Sequence, residues 1–273
     1  MKQFYLILLA LAFASSYSYA QTVVASDDFD SPSNMNSRLI MPAPGTMTAT
    51  GDCFEIYTAT TAIADNQNQL VDETLGSNAG DNMGIVLEGA PGSFFGTSDV
   101  ENTQNPSGTG TVTWVFDISS APSVDSIAVE MAAMGDFELS NDSYSWEYAI
   151  DGGAFSPIFN IAANEAGSHT YTMASGTTFT LSDPLEIGGV VIDNNFNRFV
   201  ASIGSMTGST LTLRFTASQN GGNEPYVFDN IQIMSSMPSG VIPTLGEWGM
   251  IILALIVLIL GTVALMEREE AVA

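Results

Sequence analysis

The chain has 273 residues, 30 Asp and Glu against five Lys and Arg, and a formal net charge of −25. So acidic a surface repels nucleic acid, whose binding needs cations to neutralise phosphates, and that class of partner is excluded. The single cysteine, Cys53, excludes an internal disulfide framework and leaves compaction to core packing or bound metal. Apolar residues make up 45% of the chain, too many for a disordered polyanion.

At the amino end Met1-Lys2 gives a basic start, Phe4 to Ala14 an apolar core, and Ser18-Tyr19-Ala20 a small-x-small site before Gln21. This pattern predicts a secretory signal peptide over residues 1–20, engaged by the secretion translocon and removed by signal peptidase. Its apolar core is too short to span a bilayer. An exported domain over residues 21–233 is then expected, long enough for one core, with a linker at 234–241.

Thr22 to Ser26 reads as a first strand that ends in Asp27, Asp28 and Asp30. Ser31 to Gly51, rich in Pro, Asn and Gly, reads as loop. Phe54 to Tyr57 is a short strand, Ala64 to Asn82 irregular, and Met83 to Leu87 a return to strand. Beyond it, apolar side chains recur at every second residue, the period that places them on one face of a sheet. Val112, Trp114, Phe116 and Ile118 form one such set, Ile127, Val129 and Met131 a second, and Tyr144, Trp146, Tyr148 and Ile150 a third. Asp151-Gly152-Gly153 follows as a hairpin turn, since glycine accepts positive φ. Phe179 to Leu181, Val190 to Ile192, the set Leu211, Leu213, Phe215 and the set Val227, Asp229, Ile231, Ile233 complete the series. Turn clusters at intervals of about ten residues point to antiparallel strands, so the predicted fold is all-β, a two-sheet antiparallel sandwich.

Gly135-Asp136-Phe137-Glu138, Trp146 to Gly153 and the closing Phe228-Asp229-Asn230-Ile231 resemble the jelly-roll modules of bacterial secreted proteins, which are similar to galactose-binding-like and lectin-like sandwiches. The resemblance implies fold more than ligand. In jelly rolls of this kind the first and last strands lie side by side, which would bring Asp28 and Asp30 close to Asp229 and Asn230. These oxygens are a candidate site for structural calcium, which takes six to eight hard oxygen ligands. The alternative is two unrelated sets of solvated acids. Asp136, Glu138 and Asp142 crowd one loop and are a second candidate, for a cation or a sugar, against the reading of an exposed acidic loop.

Other chemistry finds little footing. Asp193 to Asn197 opens like an EF-hand loop, but Arg198 stands where glycine is required and Gly204 where the bidentate Glu belongs. No G-x-S-x-G elbow, H-E-x-x-H helix or phosphate-binding glycine loop is present. Cys53 and the only histidine, His169, are far apart in sequence, and a lone thiol reads as a small buried hydrophobe. Phe94, Phe95 and Tyr226 are candidates for stacking on polysaccharide, or alternatively core residues.

At the carboxyl end come Ile242-Pro243-Thr244-Leu245, then Glu247-Trp248-Gly249, an apolar run to Met266, and Arg268. Residues 248–266 would extend roughly 28 Å as a helix at about 1.5 Å per residue, close to the hydrocarbon thickness, which predicts one transmembrane helix with Trp248 at an interface. The ordered combination over 242–268 resembles the IPTL-CTERM sorting signal, which is similar to the PEP-CTERM signals of Gram-negative envelopes. The resemblance implies recognition of the tetrapeptide by an exosortase-type membrane transpeptidase, whose own residues carry the catalysis. The family tail is usually rich in Arg, whereas Glu267-Arg268-Glu269-Glu270 offers one. A plain tail anchor that is never cut remains the alternative.

These observations together predict a protein anchored in the inner membrane by a single C-terminal span, with its ectodomain in the periplasm and residues 269–273 as a cytoplasmic tail. Processing would then move it to the cell surface or the extracellular matrix. The expected ectodomain is non-catalytic, adhesive or carbohydrate-binding. The alternatives are a secreted polysaccharide-acting hydrolase and a purely structural matrix subunit.

Overall fold

The structure is a computed structural model that describes residues 21–49, 51–58, 70–72, 83–87, 92–236 and 245–270. The expected signal peptide and residues 237–244 lie outside them. Thr22–Ser235 forms one compact unit, and the C-terminal helix belongs to a second, considered by itself. The strands in chain order are β1 (Gln21–Asp27), β2 (Met35–Met41), β3 (Cys53–Thr58), β4 (Ser93–Ser98), β5 (Gly110–Asp117) and β6 (Val124–Ala133). There follow β7 (Ser143–Ile150), β8 (Ser156–Ile158), β9 (Ile161–Ala163), β10 (Ser168–Thr172), β11 (Thr178–Ser182) and β12 (Leu185–Ile187). The last are β13 (Val190–Val191), β14 (Asn197–Met206), β15 (Thr210–Ser218) and β16 (Tyr226–Ser236).

Two large sheets carry the core. One has the order β2-β5-β15-β7-β8; the other has β14-β6-β16-β4-β3, with β1 also paired to β16. In the first sheet the alternation read from the sequence is the packing itself. Val112, Trp114 and Phe116 of β5, Trp146 of β7, and Leu211, Leu213 and Phe215 of β15 are wholly buried, while the residues between them reach the surface. Their partners across the sandwich are Phe95, Ile127, Val129, Met131 and Phe228. The middle is a nest of rings: Trp114 stacks on Trp146 at 5.8 Å, and Phe228 meets Trp146 at 4.8 Å and Phe215 at 4.9 Å. Such pairs add roughly 0.5–1.5 kcal/mol each beyond their buried area.

Around β4, β6 and β16 the second sheet is buried on both faces, while β14 at its edge is mostly exposed. Beyond the shared core, Tyr57, Phe94, Ala132 and Val227 pack with Leu70, Val71 and Ile85 on its far side. Neighbouring residues of one strand are therefore both apolar, as Phe94 and Phe95 are, and a period of two disappears. The last strand changes phase as well. Tyr226 and Phe228 face the core, then a bulge between Asp229 and Gln232, with Asn230 at φ 49°, inserts a residue so that Ile231 and Ile233 face it instead. The alternating set Val227, Asp229, Ile231, Ile233 is thereby corrected.

Two other expectations change. The stretch from Ser31 to Gly51 is not all loop: Met35–Met41 forms β2, an edge strand paired to β5 and mostly open to solvent. Met83 to Leu87 is not a strand; within it Ile85 makes an isolated parallel bridge to Val71. Two small sheets, β10-β11 and β13-β12-β9, go beyond the two-sheet expectation. The all-β sandwich character agrees with it, and the jelly-roll resemblance finds only the loose support of that architecture.

The helix α1 runs over Leu245–Glu270. Its side chains at 249–261 are all exposed. Among the described residues no helix is long and apolar enough to cross a membrane. The expected C-terminal transmembrane helix over 248–266, and with it inner-membrane anchoring with a periplasmic ectodomain, is therefore corrected.

Candidate functional site

The topology brings two crossover loops together at one end of the sandwich. The first, from β6 to β7, carries Glu138 and Asp142; the second, from β15 to β16, carries Glu224. Ala133 at the end of β6 lies opposite Tyr226 at the start of β16, and Ser218 at the end of β15 lies opposite Ser143 at the start of β7. Each loop thus leaves and enters beside the other. The Met134 amide donates to the Pro225 carbonyl at 3.1 Å, closing the junction.

Glu138, Asp142 and Glu224 each place an oxygen within 4.8 Å of the others, and among the described residues this is the one set of three or more acidic, His or Cys side chains so placed. Asp142 Oδ2 accepts the Glu138 amide at 2.7 Å, which turns the loop back on itself. The side chain is only 6% exposed, and its Oδ1 has no hydrogen-bond partner. Glu224 is 8% exposed, and its Oε2 likewise has none. Burial and then the Asp142, Glu138, Asp136 and Asp99 carboxylates push Glu224 up to about 8. Burial also raises Asp142, opposed by the hydrogen bond from the Glu138 amide and reinforced by the Glu138 carboxylate.

Two glycines make the slot for Glu224. A Cβ on Gly221 would overlap its carboxylate, and one on Gly135 would come within 2.9 Å of its Cα. The loop bearing Gly221 is pinned by the end of β4, where the Asp99 amide donates to the Gly221 carbonyl at 3.1 Å and Ser98 Oγ donates to the Gly222 carbonyl at 3.1 Å. Gln219 Nε2 donates to the Glu224 carbonyl and its Oε1 accepts Thr97 Oγ1 at 3.0 Å.

Of the sequence-derived trio, Glu138 and Asp142 come together, and Glu224 stands where Asp136 was expected. Asp136 accepts Ser182 Oγ at 2.9 Å instead. Only a topology that joins the two crossovers could have revealed Glu224; in the sequence it is one acid after a glycine pair.

The other proposed set is near but differently engaged. With β1 paired to β16, Asp28 and Asp30 lie close enough to raise Asp229, which burial first of all pushes up to about 7. Asp30 accepts the Ser93 amide at 2.9 Å and Ser93 Oγ at 2.7 Å, which hold its carboxyl below the usual range. Asp28 Oδ1 accepts the Ser31 amide at 2.5 Å, Asp229 Oδ1 the Asn230 amide at 2.6 Å, and Asn230 Nδ2 donates to Glu130 at 2.9 Å. Phe94, Phe95 and Tyr226 are core residues, with no ring face for a sugar. Cys53 is buried, and desolvation pushes its thiol up, as befits a small hydrophobe. A groove of about 330 Å³ along β7 to β9 is lined by Trp146, Pro157, Phe159 and Asn160 among others. In the sorting segment, 242–244 lie outside the described residues, while Leu245, Glu247, Trp248 and Arg268 fall within α1.

The IPTL-CTERM motif matches residues 242–268. It suggests a sorted, exported protein and implies processing by an exosortase-type enzyme. No curated protein matches the chain. Among solved structures it is similar to the crystal structure of the Agl-KA catalytic domain, at 10% identity and a TM-score of 0.29, over 82% of this chain and 30% of that one. The chain thus spans under a third of that protein's length, and a likeness of this order carries no argument about activity.

Proposed function

We propose that this is an exported protein routed by its C-terminal signal to the cell surface or extracellular matrix, where the sandwich serves as a non-catalytic adhesive or structural module. The sorting motif at 242–268 carries the reading. Support for the module's role comes from the outer face of the sheet β2-β5-β15-β7-β8, where Thr111, Thr113, Thr212, Arg214 and Thr216 offer a polar, half-exposed surface over an aromatic core. Arg214 lies over the Phe155 ring at 3.8 Å on this side. With the sugar-stacking rings internal, adhesion through this polar face is favoured over carbohydrate stacking.

Intact mass of the protein recovered from each envelope fraction tests the routing. Loss of residues 1–20 together with the segment beyond the tetrapeptide is expected at the surface, and an unprocessed chain soluble in the cytoplasm would overturn the reading. Turnover of a polysaccharide that disappears on mutating one carboxylate pair would overturn the non-catalytic part.

A further inference from the structure

We propose that Glu138, Asp142 and Glu224 form a binding site for one calcium ion, which ties the β6–β7 crossover to the β15–β16 crossover. Acidic side chains gathered on a surface would not carry this. Here the unpartnered groups are sealed inside. Tyr144, 6% exposed, has a hydroxyl without a hydrogen-bond partner, close enough to Asp142 and Glu224 that both act on it. Asp142 Oδ1 and Glu224 Oε2 are likewise buried and unsatisfied, and a native fold tolerates few such groups.

Among the described side chains no arginine or lysine answers them. Arg38 pairs with Asp27, Arg214 with Glu147, and Arg198 donates to Gln232 and Met234. Buried carboxylates without a cation must take up protons or a metal.

The donors identify the ion class. All are oxygens, three of them anionic, which selects a hard cation over zinc or copper. Their oxygens lie within 4.8 Å of one another, close enough to share one ion, and calcium accepts an irregular shell of bonds of about 2.4 Å, whereas magnesium demands a near-ideal octahedron. Exposed Glu138 gives the ion a way in, and water can complete the shell. The routing proposed above is independent of this site, because processing and ion binding are read by different measurements.

The test uses the full-length chain, stripped with chelator and titrated with calcium chloride at physiological salt. Calorimetry is expected to show one ion per chain with a dissociation constant on the order of 10⁻⁴–10⁻³ M, as for extracellular modules. Thermal midpoint should rise with calcium and respond less to magnesium. Asp142→Asn and Glu224→Gln should each weaken calcium about 100-fold or more, and Asp136→Asn should not. Terbium luminescence excited through tyrosine gives a readout on the unmutated protein; a signal saturating at one ion and displaced by calcium is expected from a site beside Tyr144. A midpoint indifferent to calcium and chelator, no sensitised luminescence, or affinity unchanged in both site variants would each overturn the proposal.

Discussion

Asp27 and Glu224 are carboxylates enclosed in the same sandwich, and their surroundings are opposite. Asp27 is 0% exposed and fully answered: Arg38 Nη1 donates to its Oδ2 at 2.5 Å, Trp114 Nε1 donates to the same oxygen at 2.9 Å, and the Phe29 amide donates to Oδ1 at 3.0 Å. Glu224 is nearly as enclosed, has acids for neighbours, and keeps one oxygen without a donor. The first charge is neutralised by the chain itself and fastens β1 and β2 to β5. The second depends on what the solution supplies. One buried carboxylate therefore belongs to permanent structure, and the other makes one end of the sandwich responsive to its medium.

The largest effect should come from breaking the answered site. Arg38→Met leaves Asp27 charged and sealed, and should lower stability by about 3–5 kcal/mol in urea denaturation. Glu224→Gln should do the reverse in chelator: a neutral amide in place of a carboxyl that folding must bury without a counter-ion should raise stability by about 1–3 kcal/mol, and the gain should vanish or change sign in excess calcium. A variant less stable than wild type under both conditions would erase the contrast.

A smaller effect sharpens it at Asp99, which burial and the neighbouring Asp52 push up to about 6 from an ordinary 3.8. A carboxyl with a raised pKa holds its proton more tightly when folded. Its contribution is full below about pH 3.8 and is lost as pH rises through about 6. Asp99→Asn, which suits the left-handed φ of 42° there, should flatten the decline of wild-type stability over that window, as read from melting against pH. Smallest of all is the half-exposed pair Arg214–Glu147, at 2.6 Å, where a double-mutant cycle should yield about 0.2–1 kcal/mol.

How much of this was legible in the sequence depended on which faces of a strand meet water. The sheet containing β5, β7 and β15 has one solvated face, so Trp114, Trp146 and Phe215 announce themselves by period two. The strand β4 is covered on both sides, and Phe94-Phe95 followed by Gly96 gives no period at all. Gly96 itself lies under Leu70 and Tyr57, a close approach visible only in three dimensions. β2 was hidden for the opposite reason: as a solvated edge it needs little apolar patterning. Asp142 was legible because it shares a loop with Glu138. Glu224 was not, because its neighbours are set by which strands pair rather than by which residues adjoin.

The stacked pair Trp114 and Trp146 has a consequence for anyone handling this protein. Two indoles packed 5.8 Å apart couple their strong electronic transitions and should give the folded sandwich a far-ultraviolet circular dichroism couplet of its own, superposed on the backbone signal. Because one ring comes from β5 and the other from β7, with β15 between them, the couplet reports the integrity of three strands at once and needs no attached dye.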